Sequence, residues 1–474
     1  AGDAFAQLLS AGLGIALAAQ VLVVFGGVLR LGPLTGLTSP FLSYGGSSML
    51  LAWVTLALLT SASVGSSVGD RALPRIPRIP HIEARSRELG LVALAGFAGI
   101  ALTLGYWQVA RADLASTPSV GGERLRVEEA RVMRGRILDR NGEVLAETEL
   151  GPDGTPRRMY ELDGAVHVLG FTSARVGGSG VEAVAADRLM GRTEPSPSDT
   201  LRDILHQPRA GEDVALTIDA RLQRVAVEAI DGALGAVVAL DPRTGDILAM
   251  VSNPTFSSDF SEEEWDALRS DPDSPLLNRA TQGLYAPGST YKTVTLAAAL
   301  EYGLVTLDTP VTCPDEVFID GVRIISRNEP AGRRTETVAD AYAYSCNTYF
   351  AQLGIEVGEE RFRSMAEAFG LTVEIPFPLP TERGRLSASP GFLDTGAGLA
   401  ASAFGQGELQ FSPLHLALVM AAIANDGVIA TPRLFLDDDV TEWQRAISLD
   451  TARALREAME YGVEVGWAST VAIP

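Results

Sequence analysis

NRATQGLYAPGSTYK, Asn278–Lys292, runs into the apolar stretch TVTLAAALEYG, Thr293–Gly303. Ser289 and Lys292 stand three residues apart. A helix that starts at Ser289 puts both side chains on one face within a single turn, and Pro287-Gly288 suits a helix entry. Serine is a weak nucleophile that needs a base nearby. A neutral or easily neutralised lysine can be that base. Lys292 is the only lysine among 38 basic residues, the other 37 being arginine. Arginine keeps its proton in a protein, whereas lysine loses it when desolvated. Ser-x-x-Lys alone is common by chance, but the solitary lysine makes this pair a candidate for acid–base chemistry.

A second polar element, Ser345-Cys346-Asn347, begins 53 residues after Lys292. A Ser-x-Asn loop offers a hydroxyl for proton relay and an amide that can hold a substrate peptide. Taken alone, it reads equally as a turn or a helix N-cap.

The 474 residues are 46% hydrophobic and only 20% charged, below the roughly 25% charge of soluble domains. The length suits two or more domains. The net charge of −21 is uneven, +2 over residues 1–110 and −23 over the remainder. So acidic a body is a poor partner for nucleic acid. Two cysteines exclude a disulfide scaffold and a cysteine-rich metal or iron–sulfur site. HExxH, P-loop and GxGxxG patterns are absent, so neither metal nor cofactor is expected. Of His81, His167, His206 and His415, the last sits in a helical pattern and reads as packing, which disfavours a Ser-His-Asp hydrolase. Cys313 and Cys346 read as buried free thiols, with a bridge the lesser alternative.

Three stretches lack charge: Ala4–Leu29, Leu31–Gly69 and Leu89–Ala110. Each can hold the ~20 residues of a membrane-spanning helix, and spans are expected near residues 5–29, 44–66 and 88–109. The intervening linker holds Arg71, Arg75, Arg78, Arg85 and Arg87, which places it in the cytoplasm. Tyr106 and Trp107 then fit an interfacial belt, and everything from about residue 111 lies outside. Beyond the spans the pattern is mixed α and β. RGRILDRNGEVLAET (Arg134–Thr148) reads as a hairpin turning at Asn141-Gly142, and AVVALDPRTGDILAMVS (Ala236–Ser252) as another turning at Asp241–Gly245. Residues 150–212 read as a small irregular domain. TYKTVTLAAALEYG and SPLHLALVMAAIAND read as amphipathic helices.

Together these segments resemble the transpeptidase domain of class B penicillin-binding proteins, in which Ser-x-x-Lys and Ser-x-Asn recur in this order. RGRILDRNGEVLAE, VVALDPRTGDILAMVSNPTF, NRATQGLYAPGSTYK, SCNTYFAQLG and FGQGELQFSPLHLALVMAAIANDGV (Phe404–Val428) are all similar to blocks of that family. GFTSARVGGSGVE (Gly170–Glu182) is most similar to actinobacterial elongation-type members. The resemblance covers roughly residues 88–474. It implies D,D-transpeptidation: Ser289 attacks the D-Ala-D-Ala carbonyl of a peptidoglycan stem peptide, Lys292 takes its proton, Ser345 relays a proton to the leaving D-Ala, and Asn347 holds the substrate amide. β-Lactams would acylate the same serine, and a backbone N–H of Ser289 would serve the oxyanion. The family's Lys-Thr-Gly element has no counterpart after Asn347. In the family it follows a stretch like VGWASTVAIP (Val465–Pro474), so the expectation is a chain cut just before that strand and, as Ala1 is no initiator, at its start. Catalysis by this piece alone is therefore in question.

LTGLTSPFLSYGGSS (Leu34–Ser48) resembles the C-terminal motif of the SEDS family, the RodA/FtsW glycan polymerases, over about residues 1–67. SEDS proteins and class B penicillin-binding proteins work in pairs, so a fusion is implied. The expected layout is two SEDS-like helices at 1–69, a basic cytoplasmic linker at 70–87, a membrane anchor at 88–110, a β-rich pedestal at 111–212 and an α+β, β-lactamase-like transpeptidase domain at 213–474. Implied partners are stem peptide, lipid-linked glycan, β-lactams, the SEDS module in cis and the elongation or division machinery at a bacterial plasma membrane. Alternatives are a non-catalytic regulator of the SEDS module, or a β-lactam sensor or hydrolase.

Overall fold

The structure is a computed structural model that describes residues 2–28, 52–60, 132–152, 154–173, 176–192, 211–230, 232–326 and 335–471. The chain divides into two compact units, residues 1–128 with 195–209, and residues 129–194 with 210–474.

In the first unit α1 (Gly2–Val28) covers the first expected span, and Leu8, Ile15 and Leu22 on it are exposed. The second expected span is helical over residues 52–60. The third, with the basic linker, Tyr106, Trp107 and Leu34–Ser48, lies outside the described residues. Among the described residues no helix is long and apolar enough to cross a membrane.

The second unit begins with a four-stranded sheet in the order β3-β2-β1-β6, made of β1 (Ile137–Leu138), β2 (Val144–Leu150), β3 (Pro156–Tyr160) and β6 (Val214–Ala215). The expected hairpin is present: β1 pairs antiparallel with β2, and Gly142 turns it at φ 87°, a conformation open to glycine without steric cost. β6 pairs parallel with β1, so a strand at the expected start of the transpeptidase domain completes the pedestal's sheet. A two-residue ribbon, β4 (Thr172–Ser173) with β5 (Gly177–Gly178), precedes the short helix Gly180–Val184. That helix carries Glu182, buried between Arg134 at 2.8 Å and Arg158 at 2.6 Å.

The second expected hairpin forms as β7 (Gly235–Leu240) and β8 (Ile247–Asn253). α2 (Ala220–Ile230) packs on this pair, and α7 (Pro413–Ala424) packs on β7. The helix α3 (Lys292–Glu301) runs through the centre against α5 (Asn347–Val357), α6 (Glu359–Ala368, preceded in the chain by α4, Val338–Ala343) and α8 (Leu449–Val465). α3 is not amphipathic: every residue from Lys292 to Ala299 is buried. α7 corrects the same expectation, because it is apolar even on the side where Met420 is 39% exposed, while its polar letters Ser412 and His415 are buried at its start. Ser412 caps the helix, His415 Nδ1 lies 2.7 Å from its hydroxyl, and His415 is 1% exposed.

Candidate active site

The segment after Pro287 enters its helix through a 3-10 turn, Gly288–Tyr291, and becomes α-helical at Lys292. This differs from a helix begun at Ser289. The tighter turn serves the same end, since side chains three apart eclipse in a 3-10 helix. Ser289 stays exposed while Lys292 is 1% exposed. Gly288, at φ 59°, donates its N–H to the carbonyl of Gly405 at 3.0 Å. Gly405 is at φ 85°, and a Cβ there would lie 1.5 Å from the Gly288 carbonyl oxygen. Tyr291 stacks on Phe411 at 5.6 Å and pins the turn from below.

Lys292 gathers the other expected residues. Its Nζ lies 3.2 Å from Ser289 Oγ, 2.7 Å from Ser345 Oγ, 2.7 Å from the Ser345 carbonyl and 2.6 Å from Asn347 Oδ1. The Phe350 ring lies 5.7 Å away. Burial pushes the Lys292 ammonium down to about 7. The Ser345 carbonyl and the Asn347 amide oxygen can only accept. A neutral amine spends its two N–H groups on them and keeps its lone pair for a hydroxyl. Ser345 holds φ 56°, a left-handed conformation uncommon outside glycine. That conformation aims both its carbonyl and its hydroxyl at Lys292.

Asn347 opens α5, with Cys346 as N-cap. Cys346 is bridged to Cys313, with the two Cα atoms 6.1 Å apart. This corrects the reading of free thiols. With only two cysteines, one of them inside Ser-x-Asn, an oxidising location was the available signal. The bridge closes a 33-residue separation. Replacing both cysteines with alanine is expected to lower stability by about 3–4 kcal/mol and to loosen the Ser-x-Asn loop. Urea unfolding with and without reductant measures it, and an unchanged midpoint would show that the bridge contributes nothing.

All four expected residues therefore meet at one point. The penicillin binding protein transpeptidase domain family matches residues 235–472. The chain belongs to the penicillin-binding transpeptidase family. Residues 1–67 match the cell cycle protein family of FtsW, RodA and SpoVE. Among its relatives is the peptidoglycan D,D-transpeptidase PbpA of Mycolicibacterium smegmatis, 35% identical over 66% of this chain and 67% of that protein. Among solved structures, the D,D-transpeptidase domain of a peptidoglycan glycosyltransferase from Eggerthella lenta is 34% identical with a TM-score of 0.65, over 73% of this chain and 85% of that one. The imipenem acyl-enzyme complex of penicillin-binding protein A from M. tuberculosis is 30% identical with a TM-score of 0.66, also over 73% and 85%. The family fold thus accounts for the exposed serine above a buried lysine.

Two groups at the site escape sequence reading. Ser326 Oγ accepts the Asn347 N–H at 3.1 Å, and the Ile325 carbonyl accepts Asn347 Nδ2 at 3.3 Å. Neither sits in a motif, and the contact joins residues 21 and 22 positions apart.

Proposed function

We propose that this chain is a peptidoglycan D,D-transpeptidase acting through a serine acyl-enzyme. The observation that carries the reading is the convergence of Ser289 Oγ, Ser345 Oγ and Asn347 Oδ1 on the buried Lys292 Nζ. Lys292, whose neutral form burial makes accessible by bringing the ammonium down to about 7, takes the proton as Ser289 Oγ attacks the D-Ala-D-Ala carbonyl. The tetrahedral oxyanion rests on the Ser289 N–H. Ser345 passes the proton from Lys292 to the leaving D-Ala nitrogen as the peptide C–N bond breaks. Asn347 keeps one N–H of its side-chain amide for the substrate carbonyl, the other being given to Ile325. The amine of a second stem peptide then attacks the ester and restores Ser289. A β-lactam acylates the same oxygen.

The layout proposed with it is a fusion: SEDS-like helices at 1–69, a cytoplasmic linker at 70–87, an anchor at 88–110, a pedestal at 111–212 and the transpeptidase domain at 213–474. The family match over residues 1–67 and the exposed apolar side chains of α1 support a membrane location. The disulfide supports placing the site on the extracytoplasmic side, where thiols oxidise. Lipid-linked glycan, the SEDS module in cis and the elongation or division machinery are the partners that follow.

The test is fluorescent-penicillin labelling of the full-length protein in membranes, followed by peptide mapping. The expected result is a covalent adduct on the peptide that contains Ser289. A folded, membrane-inserted protein that takes no label would overturn the mechanism and favour a non-catalytic regulator.

A further inference from the structure

Asn347 is the first residue of α5, so its N–H has no partner inside the helix. The N-cap, Cys346, has its sulfur in the disulfide, and that sulfur receives the N–H of Tyr349 at 3.3 Å. The sulfur thus serves as the N-cap acceptor for the third residue of the helix, and the N–H of the first residue, Asn347, needs a partner from elsewhere. Ser326 Oγ, 4% exposed, accepts the Asn347 N–H. Ser326 follows directly on a hairpin, β9 (Glu316–Ile319) and β10 (Val322–Ile325), and its own N–H is fixed to the Asp315 carbonyl at 2.9 Å. The last residue of that hairpin, Ile325, takes the side-chain N–H of Asn347 on its carbonyl. A carbonyl can only accept, so this contact decides which way the amide faces. Nδ2 turns to Ile325 and Oδ1 turns to Lys292.

We propose that Ser326 is a positioning residue for acyl transfer: with the adjoining Ile325 carbonyl it holds Asn347 so that Oδ1 meets Lys292 and one amide N–H stays free for substrate. The inference rests on the transpeptidase reading above. Ser326 touches no reacting atom, so its loss acts on the speed of acylation rather than on the number of competent sites. Without the hydroxyl the first turn of α5 drifts, and Asn347 and Ser345 lose their alignment on the amine together.

The experiment compares Ser326→Thr with Ser326→Val, two variants of equal shape that differ in the hydroxyl. Labelling of the full-length protein by fluorescent penicillin is followed to completion, so that rate and final extent are read separately. Ser326→Val is expected to acylate about 10–100-fold more slowly yet reach the same extent, while Ser326→Thr stays within about threefold of the unsubstituted protein. Equal rates for the Val variant and the unsubstituted protein would overturn the proposal. So would equal losses of extent in both variants, which would mark a purely structural role. An unsubstituted protein that takes no label would remove the transpeptidase reading itself. A Val variant that labels normally removes only the role of Ser326.

Discussion

Acylation of Ser289 by a penicillin is expected to slow by about 10²–10⁴-fold when Lys292 is replaced by Met. Ser289 keeps its exposure and its 3-10 turn in that variant, but its hydroxyl loses the only amine within reach. Arg at this position is expected to fail as fully, because a guanidinium cannot accept the proton. In the unsubstituted protein the base is competent only when neutral. The acylation rate should therefore rise with pH through about 7 and level off above it. Pseudo-first-order labelling across pH measures both effects. A Lys292→Met protein within tenfold of the unsubstituted rate would remove Lys292 from the mechanism. Stability should move the other way. Burial lowers the folded pKa of Lys292 from 10.5 to about 7, so the cost of an enclosed ammonium is fully present below about 7 and fades as pH climbs toward 10.5. Lys292→Met is expected to melt no lower than the unsubstituted protein at neutral pH.

Glu182→Ala is expected to cost about 3–5 kcal/mol of stability. The Glu182 carboxylate has a side-chain exposure of 0% and sits between two guanidinium groups that are themselves 7% and 6% exposed. Arg134 also donates to the Glu182 carbonyl, and Arg158 to the Gly135 carbonyl and Thr148 Oγ1. Neither arginine can swing into water without abandoning those bonds. Removing the carboxylate leaves two buried cations without the charge they share. Urea unfolding followed by tryptophan fluorescence checks this, and a loss below about 1 kcal/mol would mean that water reaches the arginines.

The parts of the structure legible in the sequence are those decided within a few residues. Asn141-Gly142 specifies its hairpin because the turn needs a positive φ, and Asp241–Gly245 closes the second in the same local way. Ser289 and Lys292 could be paired because helical geometry fixes the distance between residues three apart. The burial of α3 and of the Ser412–His415 pair at the start of α7 was not legible, since helical periodicity cannot show that the Ser412 hydroxyl meets His415 Nδ1 inside the fold. The disulfide was missed for a related reason: cysteine is at home in a core with or without a bond. Ser326 left no trace because a hydroxyl that caps a helix from a distant hairpin follows no spacing rule. The joining of residues 345 and 347 to Lys292 rested on resemblance, and the geometry supplies its physical basis in the left-handed backbone of Ser345.

The contact between Gly288 and Gly405 bears on how this site can change over generations. Backbone lies directly on backbone there, and a Cβ at Gly405 would fall inside the neighbouring carbonyl. No single-residue replacement at Gly405 can adjust the floor beneath the nucleophile by small degrees. Inherited variation in drug susceptibility is thereby steered away from the floor and toward exposed side chains beside the site such as Ile325, whose carbonyl and not its side chain meets Asn347.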